Sequence, residues 1–214
     1  MTSSLLADPL PRRDAGRPRV YSDDAIFAAT DLVLLRDGYQ MLTLEAISTE
    51  VGCTRQALVR RFGSKRYLIV QYLETMVERV AALNERELDS GDPPLELLRS
   101  RLSRPWAQRH ITTIDFRQQA NVLAFNLMLS HSSDVYTQFE ELHRIARLGI
   151  ETLLQAALER GDLQGIDPSV TAHVLYDAWI GATINWCLDP TTERMDRIGR
   201  TYGIIIGPHC TSSR

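Results

Sequence analysis

Two short helical patterns meet at a glycine between Thr43 and Phe62, and that spacing admits few folds. Leu44, Ile47 and Val51 recur at i, i+3 and i+7, one buried stripe of a helix for which Thr43 is the N-cap. Gly52 then stands where a helix ends with positive φ at little steric cost. Thr54 caps the second pattern, whose Leu58 and Phe62 face inward at i, i+4. Arg55, Gln56, Val59 and Arg60 are left pointing outward, with Arg61 on the flank. Gly63 breaks this helix, and Ser64 caps a longer one that opens on Lys65 and Arg66. The segment reads as a helix-turn-helix, motif 43–62, with the second helix presented outward.

Charge points the same way. From Cys53 to Arg66 there are five cations and no acid. Residues 1–66 carry ten basic and eight acidic side chains, and the rest of the chain fourteen and nineteen. A basic cluster on an acidic body suggests a localised polyanion contact. Alone it would be a solvated face; on the outward side of a recognition helix it points to double-stranded DNA. Lys65, the only lysine in the chain, sits at a helix N-terminus, where it can donate to a phosphate beside the helix's orphan amides.

Helical periodicity accounts for the remainder. A first helix spans about Asp23 to Arg36, capped by Ser22 and burying Ile26, Phe27, Thr30, Val33 and Leu34. The helix opened by Lys65 runs to about Leu88 and links the reading head to the C-terminal two thirds of the chain. Further helices are expected at about 95–109, 111–131, Asp134–Arg160, Asp167–Leu188 and Thr192–Ile206. No strand of convincing length alternates, so the fold class is all-α. The divisions are a disordered basic arm at 1–19, a three-helix helix-turn-helix domain at 20–66, a larger helical domain at 67–206 and a tail at 207–214. Arg12, Arg13, Arg17 and Arg19 of the arm either reach a minor groove or phosphates, or have no role.

The segment resembles the TetR (tetracycline-repressor-like) family of transcriptional regulators. Gly38-Tyr39, Thr43-Leu44, Ile47, Val51-Gly52, Thr54, Ala57-Leu58, Arg60-Arg61-Phe62 and Ser64-Lys65-x-x-Leu68 carry the likeness, specific over about residues 20–80. Toward the C-terminus it is supported by Gly161-Asp162-Leu163…Asp167-Pro168 and by a helix ending Trp186-x-x-Asp189-Pro190. The resemblance implies base-edge contacts near Arg55 and Gln56, and phosphate contacts from Thr43, Arg60, Arg61 and Lys65. Thr54 and Val59 complete the expected DNA face. Val59 stands where the family usually has a tyrosine; a valine there can pack on a thymine methyl.

The resemblance also implies a homodimer on a palindromic operator and a small-molecule effector. The helices at 134–160 and 167–188 are apolar on several sides, so a face beyond the core meets a second subunit. Leu142, Ile150, Leu153, Leu175, Ala178, Trp179 and Ala182 are the interface candidates. The segment 95–131 is expected to wall a cavity with the linker helix, lined by Trp106, His110, Phe116, Asn121, Phe125 and Met128.

Other chemistries find little footing. The histidines are dispersed, and no HExxH, P-loop, GxGxxG or GxSxG motif occurs, so neither catalytic residues, metal site nor cofactor is expected. His173 and Asp177, at i, i+4, form at most half a metal site. Three scattered cysteines and no apolar leader or 18-residue apolar run argue for a cytoplasmic protein without a membrane span. The expectation is a ligand-released repressor. Its rivals are an activator or protein sensor, an enzyme with an accessory helix-turn-helix, and a helical binding protein without DNA function.

Overall fold

The computed structural model describes residues 21–103, 114–130 and 135–211. Among them are nine α-helices and no strand: α1 (Asp23–Asp37), α2 (Leu44–Val51), α3 (Arg55–Phe62), α4 (Lys65–Asp89), α5 (Pro94–Ser103), α6 (Phe116–Ser130), α7 (Tyr136–Glu159), α8 (Pro168–Leu188) and α9 (Arg194–Ile206). The arginine arm, Trp106, His110 and His131 lie outside the described residues.

Caps set the first four helices. Ser22, Thr43, Thr54 and Ser64 each accept a hydrogen bond from the backbone amide three residues on, at 3.0–3.3 Å. Each such cap contributes about 1 kcal/mol. At the turn, Gly52 takes φ 81° and ψ 26°, a left-handed conformation that lets its own amide and that of Cys53 return to the Ser48 carbonyl. Inward stripes then meet in one core. Ile47 of α2, Leu58 and Phe62 of α3 and Phe27 of α1 are all buried, with the Phe27 and Phe62 rings 6.1 Å apart.

α4 belongs to both halves. Its start packs Leu68, Tyr72 and Leu73 beneath the three-helix head, and its later turns lie along α7. Near its end sits a buried polar junction. Arg101 of α5 donates to Glu87 at 3.0 and 2.5 Å and to Asn84 at 2.8 Å, while Asn84 donates to the Ile145 carbonyl at 3.1 Å. Gly149 of α7 makes room for it: a Cβ there would collide with Asn84 Oδ1 and Arg101 Nη1. The last carbonyls of α5 would otherwise be orphans. Trp179 Nε1 donates to Leu102 O at 2.9 Å and Arg194 Nη2 to Ser103 O at 2.5 Å, so α8 and α9 pin that end.

Residues 207–211 are no loose tail. A 3-10 turn at Gly207–His209 folds back, Gln164 donates to His209 O, and Thr211 donates to Asp162 O and Gly161 O. The glycine-rich loop after α7 supplies the open carbonyls, a pairing 45–50 residues apart that local periodicity could not reveal. Buried apolar residues from Ile26 to Ile206 form a single continuous cluster.

Candidate nucleic-acid interface

α3 turns Leu58 and Phe62 into the core and leaves Arg55, Gln56 and Arg60 exposed on the opposite side. Thr54 is exposed, with its hydroxyl already engaged as a cap. Val59, half-buried, forms part of the floor of a surface hollow of about 390 Å³. Thr43, Leu44 and Glu45 enter it from the start of α2, and Gly63, Ser64 and Lys65 from the start of α4; Arg55 completes the rim. Two helix N-termini therefore meet at one concavity with two cations, Arg55 and Lys65, and one carboxylate, Glu45. The orphan amides and partial positive charge of those N-termini suit an anion.

The basic run is not uniform. Helical spacing puts Arg61 on the outward flank, where the family resemblance implies a phosphate contact; in the structure its guanidinium is turned back. It donates to the Tyr21 carbonyl at 2.6 Å and pairs with Asp23, leaving the side chain 19% exposed. Tyr21 in turn donates its hydroxyl to the Gly52 carbonyl at 2.7 Å, and Arg36 of α1 reaches Glu50 of α2 at 2.9 Å. Arg61 thus braces α3 against the start of α1. The reason lies forty residues upstream, where no helical spacing would point.

Lys65 is likewise partly committed. Its ammonium lies 4.1 Å from the centre of the Tyr39 ring and donates to the Tyr39 carbonyl at 3.3 Å. Burial pushes its pKa below the ordinary lysine value. Tyr39, Tyr21 and Glu45 are members of this site that sequence reasoning missed. The Gly38-Tyr39 pair is visible in the chain, but its contact with Lys65 depends on tertiary folding.

No protein-family model and no curated protein matches the sequence. Solved structures do. A TetR transcription regulator from Haloarcula marismortui superposes with a TM-score of 0.70 at 17% identity, covering 88% of this chain and 98% of its own. SmeT, the repressor of the Stenotrophomonas maltophilia multidrug efflux pump SmeDEF, gives 0.64 at 20% identity over 91% and 93%. Reduced NemR of E. coli gives 0.67 at 16% identity over 85% and 96%. The fold is that of the TetR regulators.

Within this TetR fold the other candidate residues are redistributed. Asn121 and Phe125 of α6 contact the three-helix head and the start of α4. Asn121 donates to the Leu35 carbonyl at 2.8 Å, and the buried Phe125 ring packs on Tyr39 at 5.5 Å and Tyr72 at 6.4 Å. Met128 is 54% exposed, and Phe116 is half-buried beneath the Arg117 guanidinium. α6 carries apolar side chains on more than one face, so periodicity could not say which face met α1.

The interface candidates differ in burial. Leu142, Ile150, Leu153, Leu175 and Trp179 are buried inside the chain's own core, and only Ala178 and Ala182 are half-exposed. The exposed apolar side chains of α8 are instead Val170, Val174, Ile184 and Leu188, on a stripe that also carries the exposed Asp177. A helix apolar all round hides which side faces inward. His173 Nδ1 lies 2.9 Å from the Ser169 carbonyl one turn back, and no cluster of metal-ligating side chains occurs among the described residues.

Proposed function

We propose that this chain is a homodimeric, sequence-specific DNA-binding regulator of transcription, a repressor that leaves a palindromic operator when a small molecule occupies its C-terminal helices. One observation carries the reading: Arg55, Gln56 and Arg60 stand exposed on α3, and Arg55 lines a hollow to which two helix N-termini contribute. Arg55 at the start of the helix suits a bidentate contact to guanine O6 and N7. Arg60, one and a half turns on, suits a phosphate, as do Thr43 and Lys65 at the hollow. SmeT, which shares the fold, is a repressor, and release by a ligand is what the resemblance to the TetR family implies.

Selection of duplexes from a random library, followed by fluorescence anisotropy, tests this. Arg55→Ala is expected to cost about 1–3 kcal/mol on the selected site and to relax preference at one base pair. Arg60→Ala should weaken all duplexes alike and reduce the slope of log K against log salt by about one. A parent protein that enriches no sequence would reject the regulator and favour a helical binding protein whose basic face is merely solvated.

Two recognition helices must sit about 34–36 Å apart to read half-sites in successive major grooves. The exposed α8 face supplies a surface on which two copies can meet across a two-fold axis. Val174→Asp adds a second carboxylate to this stripe, one turn before the exposed Asp177, at a position that is itself exposed. Sedimentation velocity is expected to find the parent as a dimer and this variant as a monomer of unchanged helical content. A variant that remains dimeric would move the contact elsewhere.

A further inference from the structure

We propose that Tyr39 is a positioning residue for Lys65, and that Phe125, through Tyr39, couples the C-terminal helices to that lysine. The purpose of this arrangement rests on the DNA-binding reading, but its geometry is separate. The Lys65 ammonium is held twice by one residue, over the Tyr39 ring at 4.1 Å and on the Tyr39 carbonyl at 3.3 Å. An ammonium has three donors, so one such bond leaves two for a phosphate in the hollow that Lys65 lines. A free lysine stem would have to be ordered as DNA arrives; one already parked against a ring loses less freedom on binding.

Tyr39 is itself fixed from the far side. Its ring is tilted 45° against Phe125 at 5.5 Å. One turn earlier on α6, Asn121 donates to the Leu35 carbonyl at 2.8 Å, and its Oδ1 occupies the space beside Gly38, 3.0 Å from where a Cβ would stand. Gly38 adopts φ +78°, so the chain turns there under the Asn121 amide and delivers Tyr39 to the lysine. The order of contact is α6, Tyr39, Lys65, hollow. A displacement of α6 moves the ring on which the ammonium rests, without passing through the length of α4.

Because Lys65 is the only lysine, protein labelled with ¹³Cε-lysine gives one side-chain resonance pair whose assignment is unambiguous. In the parent these protons should show an upfield ring-current shift. Tyr39→Phe should keep the shift, Tyr39→Leu should abolish it, and Phe125→Leu should reduce it while melting confirms the fold. Unshifted signals in the parent, or signals indifferent to Tyr39→Leu, overturn the positioning role whether or not DNA binds.

Anisotropy on the selected duplex then reads the consequence. Lys65→Met should lower the salt slope by about 0.9, the share of one phosphate. Tyr39→Leu, which keeps the lysine charge and the backbone carbonyl, should weaken binding and leave the slope near that of the parent, and the double variant should be no weaker than Lys65→Met alone. Losses that add mean that the tyrosine is only structural. Phe125→Leu should weaken binding about threefold in the parent and not at all beside Lys65→Met; an equal loss in both backgrounds removes α6 from the relay. A parent without salt-dependent duplex binding rejects the regulator reading, while the resonance shifts still judge the contact.

Discussion

Glu87→Ala is expected to destabilise the fold by about 3–5 kcal/mol, the cost of leaving a buried cation without its counter-charge. The Arg101 and Glu87 side chains are 11% and 8% exposed, so neither charge can be returned to water without opening the junction of α4, α5 and α7. Arg101 would keep its bond to Asn84, a neutral acceptor itself held to the Ile145 carbonyl. At this chain length each kcal/mol corresponds to about 2–4 °C in melting temperature, so the shift is measurable by calorimetry. Replacing both partners, as Glu87→Leu with Arg101→Met, should recover most of the loss, because an apolar pair strands no charge. A single variant that melts with the parent would mean that water reaches the pair, and the junction would then count as surface.

The second large effect is a pH dependence centred on Asp31. Its carboxyl is 4% exposed and accepts the Tyr72 hydroxyl at 2.5 Å. Burial raises its pKa from 3.8 to about 6, against the opposing influence of the Tyr72 hydrogen bond and the Arg79 charge. Tyr72 is pushed well above its ordinary value and stays protonated throughout this range. The folded protein therefore binds the Asp31 proton more tightly than the unfolded chain. That contribution is complete below about pH 3.8 and is lost as pH rises through about 6. About two pH units of displacement correspond to ~3 kcal/mol.

Asp31→Asn keeps an acceptor for Tyr72 and removes the titration. Its stability relative to the parent should rise by about that amount between pH 4 and pH 7, measured by urea unfolding. A constant difference across that range would show that Asp31 titrates as an ordinary carboxyl. His143 works in the opposite sense. Burial, helped by Arg147, lowers its pKa from 6.5 to about 4, so its contribution is present above 6.5 and lost as pH falls. The parent's own profile should therefore be flatter than either group alone would make it, and only the substitution reveals the slope.

The helix-turn-helix was legible because its signals are local. Thr43, Gly52, Thr54 and Ser64 each act within four residues of themselves, and the structure places every one at the helix end expected of it. The long helix opened by Lys65 was equally plain, since Ile69, Tyr72, Leu73, Met76, Val80 and Leu83 keep the 3.6-residue period, and the first five are buried. What could not be read was which of several polar or apolar side chains finds a distant partner. Arg60 and Arg61 are neighbours in sequence; only tertiary contact with Tyr21 and Asp23 makes one a brace and leaves the other exposed. Likewise α8 carries apolar groups around its cylinder, and Leu175 and Val174 differ only in which of them the rest of the chain covers. Nor could spacing foresee that Asn121 reaches the Leu35 carbonyl and that Phe125 packs on Tyr39.

Gly149 also has an evolutionary meaning. Any descendant that gains a methyl at that position must simultaneously shorten or redirect the side chains at 84 and 101, which fill the space. Those three sites cannot drift independently, and natural variants of this protein should change there together or not at all.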